Sequence, residues 1–201
     1  MTVPKVRAEI SVSLDGFVAG PDDRLFESLD RLHGWLYDLA GWREPHGLEG
    51  GEEGPDSDVM REATENVGAV LMGRNMFDLA EEPWGDEPPF HVPVFVVTHR
   101  ARDPIEKKGG TTFTFVTDGI ESALKHATAA AGESDVSVAG GATVIQQLIE
   151  AGQLDEIQIH VVPVLLGEGV RLFENTSERQ LELTRVIDSP GVTHMKFRLP
   201  G

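Results

Sequence analysis

Apolar and polar residues alternate along KVRAEISVS (5–13), and its β-branched residues favour an extended strand. Further on, Leu25, Leu29, Leu32, Leu36 and Leu39 recur at spacings of four, three, four and three, which predicts a single helix over 25–42. SDVMREATENV (57–67) reads as a short helix with Ser57 or Asp58 as its N-cap. AVLM (69–72) reads as a buried strand ending at Gly73, and NMFDLAE (75–81) as the helix after it. PVFVVT (93–98), TTFTFVT (111–117), VSVA (136–139) and the run 157–166, broken by Pro163, supply further strands. Helices are predicted over 119–131 and 142–151, the second closed by Gly152. LELTRVI (181–187) and VTHMKFRL (192–199) flank DSPG and predict an antiparallel hairpin, with Met195, Phe197 and Leu199 on one face of its second strand.

Strands that alternate with helices imply an α/β fold in three layers: a mostly parallel central sheet, helices on both faces and the C-terminal hairpin as an antiparallel edge. With 201 residues and no linker or internal repeat, the chain reads as one domain over 1–201. The exception is EPHGLEGGEEGPDSD (44–58). Its glycines, prolines and six acids suit a flexible, acidic surface insertion rather than a packed element.

Composition narrows the chemistry. The absence of cysteine removes disulfides, thiolate nucleophiles and thiolate metal sites together. Seven scattered histidines, without HExxH or an acid–histidine spacing, argue against a metal site, and no GxSxG motif is present. A net charge of −17 argues against nucleic acid and anionic membranes as partners. No apolar run is long enough for a bilayer, and MTVPKVRAEISVS lacks the apolar stretch of a signal peptide, so a cytoplasmic location is expected.

Against that acidity, the basic stretch THRARDPIEKK (98–108) stands out, and its place along the chain gives it meaning. Ligands of open α/β sheets bind outside the carboxyl ends of the strands. Three loops at those ends suit an anion. Gly73-Arg74-Asn75 combines close backbone approach with a guanidinium fork. Thr98-His99-Arg100 adds a hydroxyl and cationic donors. Gly140-Gly141, ahead of Ala142 and Thr143, exposes N–H groups at a helix N-terminus. Each has a plainer reading: a tight turn for the glycine pair, a surface ion pair for Arg74. Together they suit an extended polyanion, and NADPH, a dinucleotide with an extra 2′-phosphate, fits. The Rossmann GxGxxG fingerprint is absent.

These segments resemble the dihydrofolate reductase-like superfamily. AVLMGRNMFD (69–78) is similar to the strand–GR–helix segment of dihydrofolate reductase, and VSVAGGATVIQQLIEAGQLDEIQIHVV (136–162) to the strand–GG–helix–strand segment of the superfamily. SLDGFVAG (13–20) and PVLLGEGVRLF (163–173) are closer to the C-terminal reductase domain of the bifunctional deaminase-reductase of riboflavin biosynthesis. The resemblance implies an NADPH-dependent reductase of a small heterocycle, similar to 5-amino-6-(5-phosphoribosylamino)uracil reductase. Dihydrofolate reductase, or a non-catalytic member that binds a nucleotide or a partner, are the alternatives. It further implies that Gly73, Arg74 and Asn75 meet the adenosine-side phosphates, that Thr98, His99 and Arg100 lie by the 2′-phosphate, and that Gly140, Gly141, Ala142 and Thr143 cradle the pyrophosphate. Asp15, Gly16 and Ala19 would belong to the loop over the nicotinamide. Asp58 stands near the substrate-binding acid of dihydrofolate reductases and is equally placed as a helix cap, while Trp84 is either a flank for a flat heterocycle or core. NMFDLAEEPW (75–84) departs from the threonine and Asp-Asp-Pro run of the riboflavin-pathway reductase. A homodimer is expected from the relatives and from the apolar face of the last strand.

Overall fold

The computed structural model describes residues 3–174 and 176–200, apart from the side chain of Asp23. Among these residues the strands are β1 (Val6–Ser13), β2 (Phe17–Ala19), β3 (Val67–Gly73), β4 (Pro93–Val97), β5 (Ile105–Glu106), β6 (Thr112–Val116), β7 (Asp135–Val138), β8 (Glu156–Val162), β9 (Val170–Arg171), β10 (Glu182–Ser189) and β11 (Val192–Arg198). The helices are α1 (Leu25–His33), α2 (Ala40–Arg43), α3 (Pro55–Thr64), α4 (Arg74–Ala80), α5 (Ile120–Ala131) and α6 (Ala142–Glu150). Nine strands form one sheet in the order β10-β11-β8-β1-β7-β3-β4-β6-β5. The pairs from β8 across to β6 are parallel, while β11 and β10 on one side and β5 on the other run antiparallel. The small β2–β9 pair lies outside this sheet. The order of the longer strands and helices is as expected; the short elements β2, β5, β9 and α2 are additions that no periodicity of so few residues can announce.

Apolar burial holds both sides of the sheet. On one face, Ala123, Leu124 and Ala127 of α5 and Ile145, Leu148 and Ile149 of α6 pack on Ala8, Ala69, Leu71, Val136 and Ile157. On the other, Phe77 of α4 packs with Val70, Met72, Val94, Val96 and Phe113. Alternating positions of β3 thus feed opposite cores, as the period of two requires.

The second face changes character under α3. There β1 presents Arg7, Glu9, Ser11 and Ser13, in register with Glu156, Gln158, His160 and Val162 of β8. Lys196 and His194 of β11 continue the rows. Ion pairs and hydrogen bonds replace apolar contacts: Glu62 of α3 accepts from Arg185 at 2.6 Å and from Lys196 at 2.9 Å, and Arg185 also donates to Gln158 at 2.8 Å.

Two expectations are corrected here. The leucine stripe is not one helix: α1 ends at His33, and the chain turns through Gly34, where Leu36 N–H donates to His33 O at 3.0 Å. Leu32, Leu36 and Leu39 are buried all the same, because the turns keep them inward. And α3 begins at Pro55 behind Gly54, so neither Ser57 nor Asp58 caps it. Ser57 is fully buried, and its hydroxyl accepts from the N–H of Gly41 at 2.7 Å.

The acidic insertion makes defined contacts with its neighbours. Glu52 N–H donates to Asp38 O, Ala40 N–H to Glu52 O, and the Arg61 guanidinium bridges Glu44 and Glu53 at 2.7 and 2.8 Å.

Candidate functional site

Three loops meet at the carboxyl ends of β3, β4 and β7. Gly73 N–H donates to Gly140 O at 3.0 Å, which joins the first loop to the third. A Cβ on Gly73 would stand 3.4 Å from the Val144 side chain and 3.8 Å from Gly141 N, in ordinary van der Waals contact with α6 and the third loop. The Gly140–Gly141 peptide is cis, and Gly140 has φ +90°, where a side chain would be strained. Apart from the adjoining residues, nothing lies within 4 Å of a Cβ built on Gly140 or Gly141, so the space before the glycines is open. Behind Gly141 stands the N-terminus of α6; Ala142 is buried and Thr143 exposed in its first turn.

The cations gather on α4 and the loop after β4. Arg74 Nε donates to Asp78 Oδ1 at 2.6 Å, and Arg100 donates to Asp78 Oδ2 at 2.9 Å. Arg102 grips Glu81 with both terminal nitrogens at 2.9 and 2.6 Å. Three guanidiniums face two carboxylates, which leaves a local positive excess on an acidic protein. Thr98 is buried, and its hydroxyl accepts from Arg100 N–H at 3.0 Å, fixing the turn that carries His99 and Arg100 outward. Asn75 and His99 are exposed beside them. Asp78 is the residue that sequence reasoning missed, although the i,i+4 spacing from Arg74 on a helix was available as a signal.

The loop from Leu14 to Gly20 is built around Asp15. Its carboxylate accepts from Ser13 Oγ at 2.6 Å, from Leu166 N–H at 3.1 Å and from Gly167 N–H at 2.7 Å. The Ser13 bond, with the two backbone donors, holds its pKa down at about 2. Asp15 therefore clamps this loop to residues 166–167, with both oxygens engaged by the chain itself. Gly16 O accepts from Leu172 N–H at 3.0 Å, and Ala19 pairs with Val170.

Two assigned residues lie elsewhere. Asp58 points outward, 3.4 Å from Arg61, because it falls on the solvent side of α3; the acid that faces the sheet is Asp56. Trp84 belongs to a core cluster, stacked on Phe113 at 5.9 Å and edge-on to Phe90 at 4.9 Å.

Asp56 leads to a second group. Its carboxylate accepts from Ser189 Oγ and lies 3.1 Å from Nε2 of His194. The Nδ1 atoms of His194 and His160 are 2.7 Å apart, and Trp35 covers both rings. Burial, aided by repulsion from His160, lowers the pKa of His194 from its ordinary value. The sequence hid this group because its members are far apart in the chain; Asp56 and His194 alone are 138 positions apart.

Comparison with known proteins places the chain. The model of the RibD C-terminal domain family matches residues 4–194. The chain belongs to this family. As a RibD C-terminal domain protein it is 27% identical over 183 residues to the uncharacterised Bacillus subtilis protein YwjB, covering 87% of this chain and 86% of that one. In structure it is similar to a protein assigned to riboflavin biosynthesis from Shewanella sp. PV-4, with a TM-score of 0.72, 21% identity and coverage of 98% and 99%. The deaminase/5-amino-6-(5-phosphoribosylamino)uracil reductase of Thermotoga maritima gives a TM-score of 0.61 at 14% identity, over 98% of this chain and 57% of that enzyme. Dihydrofolate reductase from Enterococcus faecalis, solved in complex with NADP(H), gives 0.57 at 12% identity, over 98% and 97%. The RibD C-terminal domain fold seen here is thus a dihydrofolate reductase-like fold. Among the described residues, no helix is long and apolar enough to cross a membrane.

Proposed function

We propose that this protein is an NADPH-dependent reductase of a small heterocyclic compound, of the type found in riboflavin biosynthesis. The observation that carries the reading is the junction of Gly73 with Gly140, which sets the open glycine pair and the head of α6 beside the Arg74–Asp78–Arg100 bridge. Family membership and the NADP(H) complex of the related dihydrofolate reductase support it. The donors fit the cofactor: the backbone N–H groups of Ala142 and Thr143 suit a pyrophosphate at a helix N-terminus. Gly73, Arg74 and Asn75 suit the adenosine-side phosphates, and Thr98, His99 and Arg100 the 2′-phosphate. When bound, the cofactor supplies hydride from its nicotinamide. The chain's own task is to orient that ring, through the loop that Asp15 fixes, and to shut out water.

Arg100 tests the 2′-phosphate assignment. Its side chain is 67% exposed and held at one end by Asp78, so it is free to take a second anionic partner. Arg100→Ala should weaken NADPH binding about tenfold and leave NADH binding nearly unchanged. Fluorescence titration of both cofactors measures this, and equal losses would detach Arg100 from the 2′-phosphate.

We also propose a homodimer. Leu183 and Val186 are about half exposed and pair with Phe197 and Met195 on either side of a bulge, so β10 and β11 present apolar side chains at the sheet edge. Analytical ultracentrifugation at micromolar protein should give a dimer, and a monomer would refute the proposal.

A further inference from the structure

Asp78 is shared between two cations from different elements. Its Oδ1 accepts from Arg74 Nε at 2.6 Å, one turn back on α4, and its Oδ2 accepts from Arg100 at 2.9 Å, in the loop after β4. An i,i+4 pair on a helix is ordinary. A second guanidinium from 22 positions away, on the other oxygen, is nothing that helix geometry supplies. Among the described residues, neither arginine pairs with another carboxylate. Arg102 is satisfied separately, since Glu81 takes both its terminal nitrogens. Asp78 is thus the one counter-charge of Arg74 and Arg100 among the described residues, and it stands between their guanidiniums, where a shared anion would stand.

Both arginines keep donors in reserve. Among the described residues, Arg74 Nη1 and Nη2 and Arg100 Nε and Nη1 make no hydrogen bond. A phosphate can therefore reach both side chains without breaking their bonds to Asp78, but it then rests with a carboxylate one guanidinium away. A phosphate monoester carries about two negative charges near pH 7, and a like charge so close opposes it. Against this repulsion stands one benefit of Asp78, that it holds the arginines in place. Arg74 needs little such help. Its side chain is only 18% exposed, and its guanidinium lies 5.8 and 5.4 Å from the ring centroids of Phe77 and Phe115. Arg100 is mostly exposed, and its backbone is fixed by the Thr98 hydroxyl. Removing the charge of Asp78 therefore strengthens the positive potential at little cost in order.

We propose that Asp78 is a built-in competitor of the cofactor's 2′-phosphate, and that it sets how strongly this protein prefers NADPH to NADH. The inference rests on the reading that Arg74 and Arg100 meet the phosphates at the cofactor's adenosine end. With Asp78 charged, the phosphate meets two half-neutralised cations, and the preference for NADPH stays near tenfold; without that charge it rises to about a hundredfold. Asp78 touches the arginines and not the cofactor, so its effect appears in selectivity and leaves NADH binding alone.

Fluorescence titration of NADPH and NADH, and calorimetric titration of adenosine 2′,5′-bisphosphate and adenosine 5′-phosphate, into the wild-type protein, Asp78→Asn and Glu81→Gln test the proposal. Asp78→Asn should bind NADPH and the bisphosphate about tenfold more tightly than wild type, with NADH and adenosine 5′-phosphate changed by less than about twofold. Glu81→Gln removes an equal charge three positions along and should change NADPH binding by less than about threefold. Unchanged or weaker NADPH binding by Asp78→Asn would make Asp78 a support of the site and overturn the inference. A gain shared by NADH, or matched by Glu81→Gln, would overturn it too, as an effect of net charge. If Asp78→Asn does not fold by circular dichroism, Asp78→Ser replaces it, with the same gain expected. NADPH bound by the wild type with no gain in the variant removes this inference alone. No binding of NADPH or of the bisphosphate to either protein removes the cofactor reading, and this inference with it.

Discussion

Replacing Gly141 with alanine should lower NADPH affinity roughly a hundredfold while leaving the fold intact. The fold should survive because Gly141 has an ordinary φ of −79°, and a Cβ there meets nothing within 4 Å apart from the adjoining residues. Affinity should fall because the same open space is the approach to the first turn of α6. A phosphate kept from the N–H groups of Ala142 and Thr143 forfeits two charge-assisted hydrogen bonds, at about 1.5 kcal/mol each. Gly140→Ala is the informative companion. Its φ of +90° penalises any side chain, so that variant should lose stability along with affinity. Fluorescence titration and thermal melts separate the two, and undiminished NADPH binding by Gly141→Ala would remove the pyrophosphate from this loop.

Phe77→Ala should be the most destabilising of the single changes considered, by about 3–5 kcal/mol, which lowers Tm by roughly 6–20 °C. Phe77 is fully buried, with Phe113 and Phe115 edge-on at 5.0 and 5.1 Å. Its ring also carries cations: the guanidiniums of Arg74 and Arg102 lie 5.8 and 5.5 Å from its centroid. The substitution therefore removes core volume and the platform under the two guanidiniums of the proposed cofactor site together. NADPH affinity should drop even at temperatures where the variant stays folded, whereas Phe77→Leu should keep most of both. A melt shifted by less than about 3 °C would show that the core closes over the gap.

Much of this molecule can be read from its residues, and the failures have definite causes. The long strands and helices, their order and the glycine and cation loops are local patterns, so AVLMGR and VSVAGG announce a strand, a turn and a helix without help from the rest of the chain. The break at Gly34 is not local: leucine spacing supports a continuous helix, and packing of Trp35 on two histidines from distant strands prevails. Asp56 rather than Asp58 faces the sheet because α3 begins at Pro55, and two residues of helix rotate a side chain to another face. The histidine pair comes from β8 and β11, whose antiparallel register no single segment encodes. A trace of it was visible all the same, in the polar half of KVRAEISVS.

An interior strand of the sheet, β1, precedes all its other strands in the chain. β1 pairs with β7 and β8, so Val6 waits for Val136 and Ser13 for Val162. At ribosomal speeds of about 5–20 residues per second, the wait for β7 is roughly 7–26 seconds, during which a strand with one apolar face has neither neighbour. Residues 14–134 are therefore all synthesised while β1 is unpaired. Its early exposure is the period in which a chaperone, or a second nascent copy, would meet it first.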